Sequence, residues 1–223
     1  METYTTRVEN VTYETERVIF IDLSYPEGFS FNAGQYISLE IQRGDTTRYK
    51  PYSIYSGPED EPIRLCIKLV QDGFASERFR HVEEGEAFTM RGPLGRFFPD
   101  NSTDEHILLC TGAGIAPLHS MLRDLLDDDT NTVSLYHGVR TQDDLIEPEH
   151  YESLQQTYDR FSYYPVCSRS SNAELHGYVQ DHMEVREEAT YYLCGVQAFV
   201  EDTESILKEN GVSEALIKRE RFT

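Results

Sequence analysis

Cys110-Thr111-Gly112-Ala113-Gly114-Ile115-Ala116-Pro117 stands between an apolar run, Ile107 to Cys110, and a segment where Leu118, Met121, Leu122 and Leu125 recur at helical spacing. Two glycines let a chain turn tightly and come close to a ligand. A helix starting there presents free N–H groups and its positive dipole end to an anion. The diphosphate of a nucleotide suits such a turn, although a plain strand-to-helix connection has the same composition. A second candidate, Gly73-Phe74-Ala75-Ser76-Glu77-Arg78-Phe79, follows the apolar run Arg64 to Val70. Ser76 reads as the N-cap of a short helix that Phe79 begins, which would hold phosphate through N–H groups and a hydroxyl. The third is Lys50-Pro51-Tyr52-Ser53-Ile54-Tyr55-Ser56. Proline fixes an extended segment, and alternation puts Tyr52 and Ile54 on one face and Ser53 on the other. An aromatic, a hydroxyl and a cation so close together can stack on, hydrogen-bond to and neutralise one phosphorylated heteroaromatic ligand. Plain strand packing accounts for the same residues.

Two kinds of element must position these segments. Up to residue 100, strand patterns at Val18 to Leu23, Tyr36 to Ile41, Arg64 to Val70 and Ala87 to Arg91 are broken by turn clusters such as Pro26-Glu27-Gly28 and Gly57-Pro58-Glu59-Asp60, which predicts an antiparallel barrel. From residue 106 the rhythm changes. Apolar strands at Ile107 to Cys110, Val133 to His137, Phe161 to Val166 and Tyr191 to Cys194 alternate with helical segments, near 148–157 and 198–209 among them, and Gly211 is placed to end the last. Such alternation predicts a parallel sheet. Pro99 to Asp104 reads as the linker, giving domains over 1–100 and 101–223.

Composition narrows the function classes. The 223 residues carry 20 Lys+Arg against 40 Asp+Glu, a net charge of −20, which excludes a phosphate-backbone binder and so nucleic acid. The excess is uneven: 11 basic and 17 acidic residues lie up to residue 100, and 9 and 23 beyond it. A concentrated-salt cytoplasm, a cationic partner and a simply solvated surface all agree with that balance. Cys66, Cys110, Cys167 and Cys194 are 44, 57 and 27 residues apart, too far for a zinc or iron–sulfur loop, so no metal site is expected and the thiols are read as reduced. Met1 to Asn10 has no apolar leader pattern and no stretch reaches the roughly 18 apolar residues of a span, which points to the cytoplasm without membrane attachment.

The three motifs, in this order and at these spacings, resemble the ferredoxin–NADP reductase superfamily. Gly34-Gln35-Tyr36, Arg91-Gly92-Pro93-Leu94-Gly95-Arg96-Phe97, His137-Gly138-Val139-Arg140 with Asp144-Leu145, Gly177-Tyr178-Val179, Tyr192-Leu193-Cys194-Gly195 and the terminal Glu220-Arg221-Phe222 extend the likeness over nearly the whole chain. The likeness is greatest to oxygenase reductase modules and flavin reductases. It implies an N-terminal flavin-binding β-barrel followed by a parallel α/β nicotinamide-binding domain, with FAD (or FMN) as cofactor and NADPH or NADH as hydride donor. The implied partner is ferredoxin, flavodoxin or an oxygenase component; a non-catalytic subunit retaining the fold is the alternative.

The same resemblance assigns roles. Tyr52 would pack on the flavin ring and Ser53 face its N5. Ile67 and Lys68 would hold ring and tail, and Gly73, Phe74, Ala75 and Ser76 the flavin diphosphate, with Lys50 as the nearby cation. Thr111, Gly112, Ala113, Gly114 and Pro117, with Arg140, would take the nicotinamide coenzyme; Ser168 and Arg169 would favour NADPH. Cys194 and Gly195 would lie beside the nicotinamide, and Glu220 and Phe222 would close the flavin site. Ser53, Cys194 and Glu220 are the implied catalytic residues. The sequence departs from the family at Lys50, where arginine is usual, at Ala113, where a hydroxyl residue is common, and at Val196, where proline commonly stands. An ammonium cannot repeat the bidentate phosphate contact of a guanidinium.

Overall fold

The computed structural model describes residues 2–100 and 102–222. Among these, the first half is one antiparallel sheet of β1 (Glu2–Thr15), β2 (Val18–Leu23), β3 (Tyr36–Arg43), β4 (Thr46–Ser53), β5 (Ile63–Lys68) and, after the short helix α1 (Phe74–Phe79), β6 (Ala87–Leu94). The strand order is β4-β3-β6-β1-β2-β5. An Ile54–Leu65 bridge joins its two ends, so the sheet curls into the expected barrel. Ile19, Ile21, Ile37, Leu39, Ile41, Ile63, Leu65 and Met90 fill its interior.

The second half is β7 (Glu105–Thr111), α2 (Ile115–Asp127), β8 (Thr132–Val139), α3 (Pro148–Thr157), β9 (Phe161–Cys167), β10 (Leu175–His176), β11 (Thr190–Val196), α4 (Gln197–Glu209) and β12 (Ile217–Phe222). The sheet is parallel, ordered β10-β9-β8-β7-β11-β12. Its chain runs outward from β7 and then returns to β7's other side at β11. This reversal opens a crevice beyond the carboxyl ends of β7 and β11, where ligands bind in open α/β sheets. Thr111 and Cys194-Gly195 stand at those ends. The connection over Pro99 to Asp104 is irregular at its described residues, with Asn101 lying outside them.

Three features depart from the sequence reading. β1 is a 14-residue strand whose polar, half-exposed pattern hides it from apolar periodicity, although it lies between β6 and β2. β12, Ile-Lys-Arg-Glu-Arg-Phe, is a charged edge strand held by pairing to β11 and by ion pairs of Arg219 and Arg221 with Glu204 of α4. Ser76 is not an N-cap: α1 begins at Phe74 with Gly73 as its extended cap, and Phe79 ends the helix. Ser76 Oγ accepts a hydrogen bond from Val70 N at 2.9 Å, fastening the helix to the end of β5.

The halves share a core. Val18, Phe20, Tyr55, Cys66 and Phe97 of the barrel belong to one apolar cluster with Leu118, Met121, Leu122 and Leu125 of α2. Polar contacts cross the same boundary. Ser120 Oγ donates to Ser56 O at 2.8 Å, and Tyr55 OH donates to Glu147 Oε2 at 2.6 Å and lies 3.0 Å from Tyr151 OH.

Candidate functional site

β7 ends on Thr111 because its continuous apolar run meets Gly112, whose φ of +51° turns the chain. One 3₁₀ turn, Gly112–Gly114, leads into α2. The two glycines do different things. A Cβ on Gly112 would meet nothing closer than Lys68 Nζ at 3.9 Å, so this backbone faces open space. On Gly114 it would sit 2.4 Å from Cys194 O, so that glycine serves the packing of the turn against β11. His137 stands under the turn: its buried Nε2 donates to Gly112 O at 3.2 Å. Burial pushes its ionisation down to about 4, and the bond to Gly112 opposes that only in part, so the ring is neutral.

The turn is one wall of a cleft of about 690 Å³ lined from both halves. Thr111, Gly112, Ala113, Arg140, Ser168 and Val196 line it, and so does Lys68 from the barrel. The hydroxyl of Thr111 is sealed and has no hydrogen-bond partner among the described residues. Gly195 covers it so closely that a Cβ there would approach to 2.2 Å. The open glycine turn and the lysine beside it suit a phosphorylated ligand. Pro117 and Gly114 are buried in the first turn of α2 and its approach, and they shape the wall from behind. Arg169 is exposed beside the cleft with its N–H on Arg140 O at 2.7 Å, while Ser168 lines the cleft itself.

A second site lies where the barrel meets the last two strands. Parallel pairing puts Glu220 opposite Cys194, and Cys194 opposite Cys110. Ser53, at the end of β4, donates its Oγ–H to Glu220 Oε1 at 2.9 Å across 167 residues of sequence. Burial raises the Glu220 carboxyl above its ordinary range, and the Ser53 hydrogen bond opposes the rise. Tyr52 is half-buried with its ring edge-on to Phe79, centroids 5.4 Å apart. Burial pushes its phenol up, so it is a neutral aromatic surface. Phe222 packs against the apolar cluster that contains Cys194. The Cys194 thiol is fully buried, and burial, then Glu220, pushes its ionisation well up. It is therefore a compact neutral group and not a nucleophile.

Of the remaining flavin-site candidates, Ile67 is buried in the barrel core, while Phe74 and Ala75 are partly buried against it. Gly73 has no room for a side chain, with a Cβ 2.9 Å from Ser76 Oγ. Lys50 is half-buried on β4, opposite Leu39 of β3. The sequence reading did not single out Arg17 or Tyr178 as cleft residues, or the support of His137 beneath Gly112. Arg17 lies in a turn far from any motif, and only the barrel closure brings it to the cleft.

Two family models cover the chain. Residues 5–98 match the oxidoreductase FAD-binding domain and residues 108–205 the oxidoreductase NAD-binding domain. The reductase subunit of an aromatic O-demethylase from Amycolatopsis sp. is 30% identical over 97% of this chain and 67% of its own length. The ferredoxin–NAD(P)+ reductase component of the naphthalene 1,2-dioxygenase system of Pseudomonas putida is 30% identical over 96% of this chain and 66% of its own. The chain thus spans about two thirds of the length of these relatives. Among solved structures, a cytochrome P450 reductase from Amycolatopsis superposes with a TM-score of 0.91 at 28% identity, over all of this chain and 70% of that one. The ferredoxin NADP+ reductase of Neisseria gonorrhoeae, solved with FAD and NADP, superposes at 0.90 with 24% identity over 99% of both chains, a likeness of fold.

Proposed function

From the premise that this chain belongs to the ferredoxin–NADP reductase-like oxidoreductases, built from an FAD-binding and an NAD-binding domain, we propose that it takes hydride from NAD(P)H and passes the electrons on to a protein acceptor. Bound FAD supplies the chemistry that accepts a hydride and releases electrons one at a time. The Ser53–Glu220 hydrogen bond carries the reading. It fixes a hydroxyl donor and a half-buried carboxylate where the end of β4 meets the carboxyl ends of β11 and β12.

Each residue's part follows from its position. Tyr52 offers a flat, neutral face for a ring, and Ser53 holds a proton that it can share with a ring nitrogen or with Glu220. Phe222 covers the Cys194 cluster and keeps water from it. Cys194 fills the floor beneath without a charge of its own. The open backbone of the turn at Gly112 binds the coenzyme diphosphate, and His137 keeps the turn in shape. Holding two rings in contact supplies several kcal/mol of the barrier reduction through orientation. For the flavin diphosphate, Lys50 and the start of α1 are the groups at hand.

The names of the relatives support a ferredoxin or an oxygenase component as acceptor, with flavodoxin a further carrier to screen. Four buried, unpaired cysteines agree with a reducing cytoplasm, which cell fractionation checks. No helix among the described residues is long and apolar enough to cross a membrane. Ser168 in the cleft and Arg169 beside it support NADPH over NADH.

The deciding experiment is spectroscopic. Purified protein incubated with FAD should turn yellow and be bleached anaerobically by NADPH, with a higher kcat/KM for NADPH than for NADH. A colourless protein that neither retains FAD or FMN nor oxidises either coenzyme would establish instead a non-catalytic module on the same fold, a reading that the Lys50, Ala113 and Val196 departures favour.

A further inference from the structure

Basic residues are scarce in this chain, and most that lie near carboxylates are spent on them. At the edge of the parallel sheet, Lys208, Arg219 and Arg221 are all paired with Glu201, Glu204 or Glu214. Three others behave differently. Arg17, Lys68 and Arg140 line the cleft, and none of them makes an ion pair among the described residues.

Arg17 comes from the turn between β1 and β2, in the barrel. Its carbonyl accepts from Leu69 N at 2.7 Å, and the register pairs the next residue, Val18, with Lys68. The turn therefore sets Arg17 beside Lys68, whose Nζ reaches the Gly112 turn of the other half. Burial in the cleft depresses the Lys68 ammonium, and Arg140 and Arg17 depress it further, while Asp144 works the other way. Of the cleft carboxylates, Asp144 is already engaged by Thr141 N and Oγ1 at 3.1 and 3.0 Å, and Asp181 by Tyr178 N at 2.8 Å. Asp202 lies on α4. Arg17, Lys68 and Arg140 thus share one cleft beside the open glycine turn, and an anion bound among them would relieve the repulsion of Lys68 by the two guanidiniums.

We propose that Arg17 is a coenzyme-binding residue, forming with Lys68 the barrel half of a clamp on the diphosphate of the nicotinamide dinucleotide, opposite the Gly112 turn and Arg140. The inference rests on the coenzyme reading of the cleft and adds to it that the diphosphate ties the two domains together. A guanidinium's planar fork matches a phosphate edge, which a lysine at this place would not.

The test uses the full chain loaded with FAD and ADP-ribose as the probe, titrated calorimetrically over a range of NaCl concentrations. Arg17→Ala is expected to weaken ADP-ribose about tenfold at low salt and to flatten the slope of log Kd against log salt. Arg17→Lys should recover only part of the affinity. Arg43→Ala, at the β3–β4 hairpin, is the control for loss of charge alone and should leave the Kd unchanged. An unchanged Kd and slope in Arg17→Ala overturns the inference while leaving the cleft intact, provided that wild type and Arg43→Ala bind. Loss of FAD from Arg17→Ala overturns it in favour of a flavin role. Wild-type protein that binds FAD but no ADP-ribose defeats both the inference and the coenzyme reading beneath it.

Discussion

The Ser53 hydroxyl tunes the ionisation of Glu220. The carboxyl of Glu220 is raised by burial and lowered by the Ser53 hydroxyl, so its ionisation responds to that one hydrogen bond. Removing the hydroxyl leaves only the burial and raises the carboxyl further. Ser53→Ala is therefore expected to slow flavin reduction by NAD(P)H by about 10- to 100-fold, the range of a lost positioned proton donor. It should also displace the acidic limb of the pH–rate profile to higher pH, with the fold unchanged by circular dichroism. A stopped-flow profile identical to wild type would remove the pair from the chemistry.

The turn between β7 and α2 holds the cleft at the level of elements, and its two glycines make opposite demands. Leu118, Met121, Leu122 and Leu125 anchor α2 in the core common to both halves, so the turn cannot drift to make room. At Gly114 an alanine methyl would lie 2.4 Å from Cys194 O and 2.8 Å from Cys194 C, both backbone atoms. At Gly112 it would meet only the far end of Lys68, and the cost is that of the left-handed backbone. Gly114→Ala should lose about 1–3 kcal/mol of stability from overpacking and Gly112→Ala roughly 1–2 kcal/mol from its φ. Of the two, Gly112→Ala should weaken coenzyme binding more per unit of stability lost. Urea unfolding and coenzyme titration of both variants check the ranking; equal loss of binding in each would mean that the turn does not face the ligand.

Across the whole molecule, the domain boundary contains a histidine that must stay neutral. His119 is stacked on Tyr55 at 3.8 Å, lies 2.9 Å from Tyr151 OH and neighbours His150 and Arg64. Burial, then the charges of His150 and Arg64, pushes it down to about 3, against roughly 6.5 in an unfolded chain. Below pH 6.5 the unfolded state takes the proton first. The contribution is thus complete above about pH 6.5 and is lost as pH falls towards 3, at about 1.4 kcal/mol per pH unit. His137, pushed down to about 4, acts in the same sense. Wild-type stability should fall by roughly 2 kcal/mol between pH 6.5 and 5 on account of His119 alone. His119→Gln, which keeps a polar partner for Tyr151, should remove that part of the slope. Urea midpoints across this range test it, and parallel slopes in the two proteins would place the acid sensitivity elsewhere.

How much was legible depended on where the signal was local. The glycine turn, the helices near 148–157 and 198–209 and most barrel strands are written in short-range periodicity and turn chemistry, and the motif order identified both domains. β1 and β12 were not legible, because polar or charged strands are held by their neighbours in the sheet and not by an apolar pattern of their own. The cap assigned to Ser76 failed for a related reason: its hydroxyl goes to Val70, six residues back, and not to its own helix. By itself, then, the sequence determined the two-domain architecture and marked the segments proposed to hold phosphate and rings. Only tertiary structure decided which residues meet. Ser53 and Glu220 are 167 residues apart, and Arg17 joins Lys68 at the Gly112 turn, because barrel closure and the β7–β11 reversal impose long-range contacts that no local spacing encodes.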